Sequence, residues 1–188
     1  MEKIYFAFVD TPGFFSLLIH HFLKQKYIHV VISLDENLEE AYSVGRRNPR
    51  VPFLAGFEKE EKEKIIKAFP TADYCIYEFE CTAEQKVLIE KSLHKDYKRR
   101  FQIHYAIIGL PFILWNKPFY HKNFFTCSSY IAKLLSDNGV ELFDKHFSLV
   151  TPKDFFEYKN KRKIFEGSLA EFLNQKEYSK RRIAEEIL

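Results

Sequence analysis

FFTCSSYIAKLLSDNGVELF, residues 124–143, is the stretch on which the reading of this chain turns. Ile131, Leu134 and Leu135 recur at helical spacing, and Asn138-Gly139 supplies a stop. Cys127 follows Thr126 and falls in the first turn of that helix. A thiol there feels the positive end of the helix dipole and backbone N–H groups that no helical carbonyl reaches. Both favour thiolate over thiol, which is what a nucleophilic cysteine requires. The competing reading is plainer: free cysteine is among the most buried residue types, and Cys127 would then be a small core hydrophobe.

Working outward, 188 residues suit one domain with a sizeable core. The chain is 46% hydrophobic and 29% charged, the balance of an ordinary globular protein. Its 20 Phe and 11 Tyr point to a core, or a pocket, built on rings. A formal charge of +3 without a recognition motif argues against nucleic acid as a partner. Three cysteines without ligand spacing suggest neither a disulfide framework nor a metal site, and no cofactor is called for. The apolar start is cut by Asp10, Pro12 and Gly13 and has no basic leader. The run 106–115 is too short to cross a bilayer. A reducing cytoplasm is the expected compartment.

In chain order, residues 3–9 read as a strand and 14–26 as a helix after a Thr-Pro-Gly turn. Residues 28–34 form a second strand, 35–37 a turn, and 38–44 the returning strand of a hairpin. GRRNPRVPFLAGF, residues 45–57, reads as irregular, and the Lys/Glu-rich 58–69 as a charged helix or loop with a solvated face. Residues 71–81 are a strand carrying Cys75 and Cys81 as packing residues. Thr82 and Gln85 open a capped helix to about residue 100. The aromatic 101–119 is expected to bury itself beneath the domain. Thr151-Pro152 is a helix start, 163–167 a last strand, and 168–188 an amphipathic tail, either a surface helix or a partner-binding segment.

A cysteine nucleophile needs an imidazole within hydrogen-bond reach, held by a third polar group. Of the seven histidines, His29 alone begins an apolar strand, where burial would demand a hydrogen bond. If the hairpin closes near Glu36, Ser43 lies roughly opposite His29 and could hold its tautomer. Tyr42 and Glu40 point to the other face. By itself His29 reads as a satisfied strand histidine more readily than as a base.

HVVISLD (29–35), AYSVGR (41–46), FTCSSYIAKLL (125–135) and TPKDFF (151–156) together make the chain resemble the permuted branch of the NlpC-type papain-like cysteine hydrolases, the YaeF/YiiX-like amidase group. In that branch the histidine strand precedes the cysteine helix, as His29 precedes Cys127. The resemblance implies an α+β fold over residues 1–167, a small antiparallel sheet packed against the Cys-bearing helix and flanking helices. It implies Cys127 as nucleophile and His29 as base. The orienting group of this superfamily is usually His, Glu, Asn or Gln on the next strand, where this chain offers Ser43. Tyr42, Arg46 and Ser128 are the neighbouring candidates for substrate binding, and the loop arginines also suit a solvated surface. The implied substrate is an acyl compound: a small molecule, a peptide or, as in the related lecithin–retinol acyltransferase-like branch, a lipid.

Overall fold

The computed structural model describes residues 1–11, 26–48, 51–107 and 109–186. The expected helix over 14–26 lies outside these, apart from Lys26. The described strands are β1 (Glu2–Asp10), β2 (His29–Ser33), β3 (Ala41–Asn48), β4 (Val51–Lys59), β5 (Asp73–Cys81), β6 (His104–Tyr105), β7 (Phe124–Phe125) and β8 (Arg162–Ser168). The helices are α1 (Lys62–Ala68), α2 (Ala83–Lys98), α3 (Gly109–Leu114), α4 (Cys127–Asp137), α5 (Pro152–Glu157) and α6 (Leu169–Glu186). The class is mixed α+β.

All eight strands join one sheet in the order β7-β6-β4-β3-β2-β1-β5-β8. Every pairing is antiparallel except β6 with β7. β1 lies inside the sheet between β2 and β5 and is apolar on both faces, and an apolar run of this length must be covered twice. Ile4, Phe6 and Phe8 enter a large aromatic core, and Ala7 and Val9 a smaller one. The large core lies beneath α2, α4 and α5, with Ile89, Leu93, Ile131, Leu135 and Phe155 at most 1% exposed. The smaller core is closed by α1 and α6, through Ile65, Leu169 and Phe172. Cys75 and Cys81 are buried packing residues of the large core.

The sequence reading needs three corrections. Residues 45–48 and 51–57 are paired strand rather than irregular chain: β3 and β4 pair from Tyr42↔Lys59 out to Asn48↔Val51, with a bulge between Arg46 and Asn48, and Pro49 and Arg50 lie outside the described residues. Pro52 is tolerated because β4 meets β6 only at Gly56↔His104 among the described residues, leaving its far end an edge. Second, the returning strand begins at Ala41, not at residue 38. The Asp35 carboxylate gathers the N–H groups of Asn37, Glu39 and Glu40 at 2.7–3.2 Å into a side-chain-organised turn, and Leu38 takes φ 56°. Third, the aromatic segment before α4 buries itself only in part: Ile103 and Ala106 are buried, but Phe101, Leu114 and Trp115 are more than half exposed. Against these, the helix starts at Thr82 and Thr151 carry the reciprocal side-chain bonds of a capping box, and the last strand spans Arg162–Ser168. The segment 168–188 supplies α6, whose first turn packs Leu169 and Phe172 into the smaller core.

Candidate active site

Cys127 is the first residue of α4. Thr126 caps that helix: its hydroxyl accepts from the Ser129 N–H at 3.2 Å, while the Thr126 N–H donates to the Ser129 hydroxyl at 2.8 Å. This reciprocal bond fixes where the helix begins, and so fixes the cysteine on its first turn. The helix is seated through its strongly apolar face, with Ile131 and Leu135 in the large core. Its first turn is anchored again by Ser128, whose hydroxyl donates to the Val150 carbonyl at 2.6 Å. Ser128 is thus a buried brace rather than a substrate contact, and only its backbone N–H serves the site.

The imidazole of His29 reaches the sulfur from the start of β2. Cys127 is hydrogen-bonded to His29 and accepts from the backbone N–H groups of Val30 and Ser128. Burial alone would push the thiol up, but the imidazolium charge, its hydrogen bond and the two N–H groups prevail and hold Cys127 below the ordinary thiol value. Burial opposes charge on His29 too. The sulfur, together with Glu60, outweighs it and raises the imidazole above its ordinary value. The pair is therefore thiolate–imidazolium over the range between the two.

The other edge of the ring meets what sequence reasoning had missed. His29 Nε2 lies 3.1 Å from the Ser43 hydroxyl and 3.3 Å from Glu60 Oε1. The Ser43 hydroxyl in turn donates to the same Glu60 oxygen. With Nε2 committed there, Nδ1 is the nitrogen left for the sulfur. Glu60 stands just past β4, held by its N–H donating to the Ala41 carbonyl at 2.8 Å. Burial would raise the Glu60 carboxyl; hydrogen bonds from His29 and Ser43, and the charges of His29 and Arg46, hold it below the usual carboxylate range. Sulfur, imidazole, carboxylate and guanidinium then alternate in sign through the site, which is how buried charge is tolerated.

The sheet explains the alignment. β2 pairs with β3 as Ile32↔Tyr42 and Ser33↔Ala41, so counting outward puts Gly45, not Ser43, opposite His29. Ser43 is the diagonal neighbour, and Glu60 is diagonal to Ser43 across β3 and β4. His29, Ser43 and Glu60 therefore form an oblique row across three adjacent strands. Gly45 makes room for it: a Cβ there would stand 3.0 Å from His29 Cε1 and 3.3 Å from the Ser43 hydroxyl. One edge remains open to solvent, since the His29 side chain is 26% exposed and that of Glu60 21%.

Tyr42 is not in the site. It is 2% exposed in the large core, stacked on Phe57 at 5.8 Å, with its hydroxyl donated to Glu40. Arg46 donates to the Thr11 hydroxyl at 2.8 Å and lies over the Phe69 ring at 4.8 Å, a backing charge for Glu60. Tyr105 is a further neighbour that sequence reasoning missed. β6 pairs with β7 at Tyr105↔Phe125, two residues before Cys127. Burial first, and the nearby sulfur second, raise its phenol, which stays protonated and can donate. Among the described residues no cluster of His, Cys, Asp and Glu suits a metal ion. Comparison of the chain with protein-family models, curated proteins and solved structures found no match to any of them.

Proposed function

We propose that this protein is a cysteine hydrolase of the permuted papain-like, NlpC-type kind, acting on an acyl compound through Cys127, His29 and Glu60. The observation that carries the reading is the junction itself: a thiol on the first turn of a helix, hydrogen-bonded to an imidazole whose far nitrogen meets a carboxylate. Ser43 bridges base and carboxylate, so the orienting group is a Ser–Glu pair rather than the hydroxyl alone. Glu60 supplies the charged third group that Ser43 alone does not, which argues against the alternative of a catalytically silent ligand-binding module.

The Cys127 thiolate attacks the acyl carbon and forms a C–S bond. The carbonyl oxygen takes up the displaced electron pair and is met by the Cys127 N–H, one of the donors a helix start leaves without an intrahelical partner, and by the Tyr105 hydroxyl. The His29 imidazolium gives its proton to the leaving amine, alcohol or thiol as that bond breaks. Water then attacks the thioester while neutral His29 takes its proton, and the acid departs as thiolate and imidazolium re-form. Glu60 stays ionised throughout and fixes the ring so that Nδ1 faces the sulfur.

A panel of amide, ester and thioester acyl probes, read by intact mass, tests this. Wild type should gain one acyl adduct on Cys127 from at least one class, and Cys127→Ala none. Equal labelling of the two, or labelling confined to Cys75 and Cys81, would end the proposal.

A further inference from the structure

The segment that leads into the cysteine helix has a surface the acyl chemistry does not use. Six large apolar side chains stand exposed between residues 101 and 124: Phe101, Ile107, Leu114, Trp115, Tyr120 and Phe124, from 38% to 67%. Trp115 is braced by Phe112, which meets it edge-on at 6.0 Å and is itself stacked on Phe119 at 4.7 Å. Such a display costs solubility, and proteins that keep one generally cover it.

Charge says with what. From Asp96 to Asp137 the intervening chain has no Asp or Glu, although the protein has 26 acids in 188 residues. The same stretch carries Lys98, Arg99, Arg100, Lys117, Lys122 and Lys133. Lys95, Lys98, Lys117 and Lys122 have no carboxylate at ion-pair distance among the described residues. Tyr120 also borders a cavity of about 270 Å³ whose wall includes Lys95, Arg99, Lys122 and Lys133. The acids there are engaged: Asp96 by Arg99 and the Tyr130 hydroxyl, Asp137 by Lys133. Lys95 and Lys122 remain for an anion. Exposed Trp, Tyr and Leu beside unpaired lysines are what the headgroup layer of a bilayer receives, rings at the interface and cations at the phosphates. No helix among the described residues is long and apolar enough to cross a membrane, so attachment would be to one face.

We propose that the 101–124 surface docks this protein on an anionic lipid bilayer, with the Lys95–Lys122 cavity taking a lipid phosphate. The docking stands or falls independently of the chemistry at Cys127.

Trp115 is the chain's single tryptophan and reports on its own insertion. The full chain is mixed with vesicles of phosphatidylcholine alone, or with roughly one third phosphatidylglycerol, and followed by co-sedimentation and tryptophan emission. Binding with a blue shift is expected on the anionic vesicles and should weaken in high salt. Each charge removed should weaken it about fivefold, so Lys117→Glu with Lys122→Glu should leave little. Leu114→Glu, at a 53% exposed position, should abolish sedimentation while thermal unfolding is unchanged. Cys127→Ala should bind like wild type. Three results would overturn the proposal: no sedimentation with anionic vesicles, equal binding by the surface variants, or a blue shift without lipid that tracks a concentration-dependent dimer. The last would assign the surface to a second copy of the chain.

Discussion

Replacing Glu60 with Gln removes a charge while keeping a shape, and the effect on His29 can be worked from the geometry. At the observed 3.3 Å separation, a unit pair at an effective dielectric of about 20 interacts by about 5 kcal/mol. That gross figure overstates the loss. Both side chains retain some solvent contact, at 26% and 21% exposure, and glutamine can still accept a hydrogen bond through its amide oxygen. A hydrogen bond to a charged group contributes about 1.5–3 kcal/mol net, and taking about 2 gives a fall of about 1.5 pKa units at 1.36 kcal/mol each. The sign follows from the chemistry: Glu60 favours the imidazolium, so its loss lets the proton leave His29 at lower pH. The upper edge of the thiolate–imidazolium range drops, while the lower edge, set by Cys127, stays nearly fixed because the imidazolium still faces the sulfur there. Ring carbon shifts of His29 followed by NMR across pH read this without any substrate. An unchanged midpoint in Glu60→Gln would refute the claim that the carboxylate holds the charge on His29.

Gly45→Ala should leave a folded protein with a displaced imidazole, because its new Cβ meets His29 Cε1 at 3.0 Å; alkylation of Cys127 near pH ~6 should fall at least about tenfold while far-ultraviolet circular dichroism is unchanged. Tyr105→Phe should leave that alkylation rate as it is but slow acyl-probe turnover by about 10²-fold, the usual cost of one oxyanion donor, measured by adduct formation over time. Ile131→Ala empties a site that is 0% exposed beneath the cysteine helix and should cost about 3 kcal/mol in denaturant unfolding. Glu78 is held at about 2 by its hydrogen bond from Arg162, against burial, with Lys3 assisting. A carboxyl so depressed stabilises the fold above its ordinary pKa of about 4.3 and loses that contribution as pH falls towards 2. Both cations are well exposed, so about 1 kcal/mol is expected; the gap in unfolding midpoint between wild type and Glu78→Gln should close as the solution is acidified.

How far the sequence could be read depended on whether a residue's role was local. Helix starts at Thr82, Thr126 and Thr151 were legible because a cap, a spacing of three and an apolar period all sit within one turn. Cys127 was legible for the same reason. His29 stood out only as an oddity in an apolar strand, and its pairing with a cysteine 98 positions later came through resemblance, not spacing. Glu60 was illegible because it belongs to FEKEEKEK, a run whose composition speaks for solvent. Only the β3–β4 register marks it out, and that register was hidden by the prolines and arginines that made 45–57 read as irregular. The side-chain-organised turn at Asp35 hid the other half of the count: it moves the start of β3 to Ala41 and sets Gly45 opposite His29. Tyr42 lies on the face the hairpin count gave it, away from the site, and Ser128 was misjudged because chain proximity to a reactive group says nothing about where a side chain is anchored.

The ultraviolet absorbance of the thiolate, taken as wild type minus Cys127→Ala across pH, bears most directly on the ion pair from which the rest follows. The difference signal should emerge well below the ordinary thiol value of about 8.5, and in His29→Ala it should move up towards that value, since only the Val30 and Ser128 N–H groups then oppose burial on Cys127. A wild-type midpoint at or above 8.5, or one that His29→Ala does not move, would contradict the account.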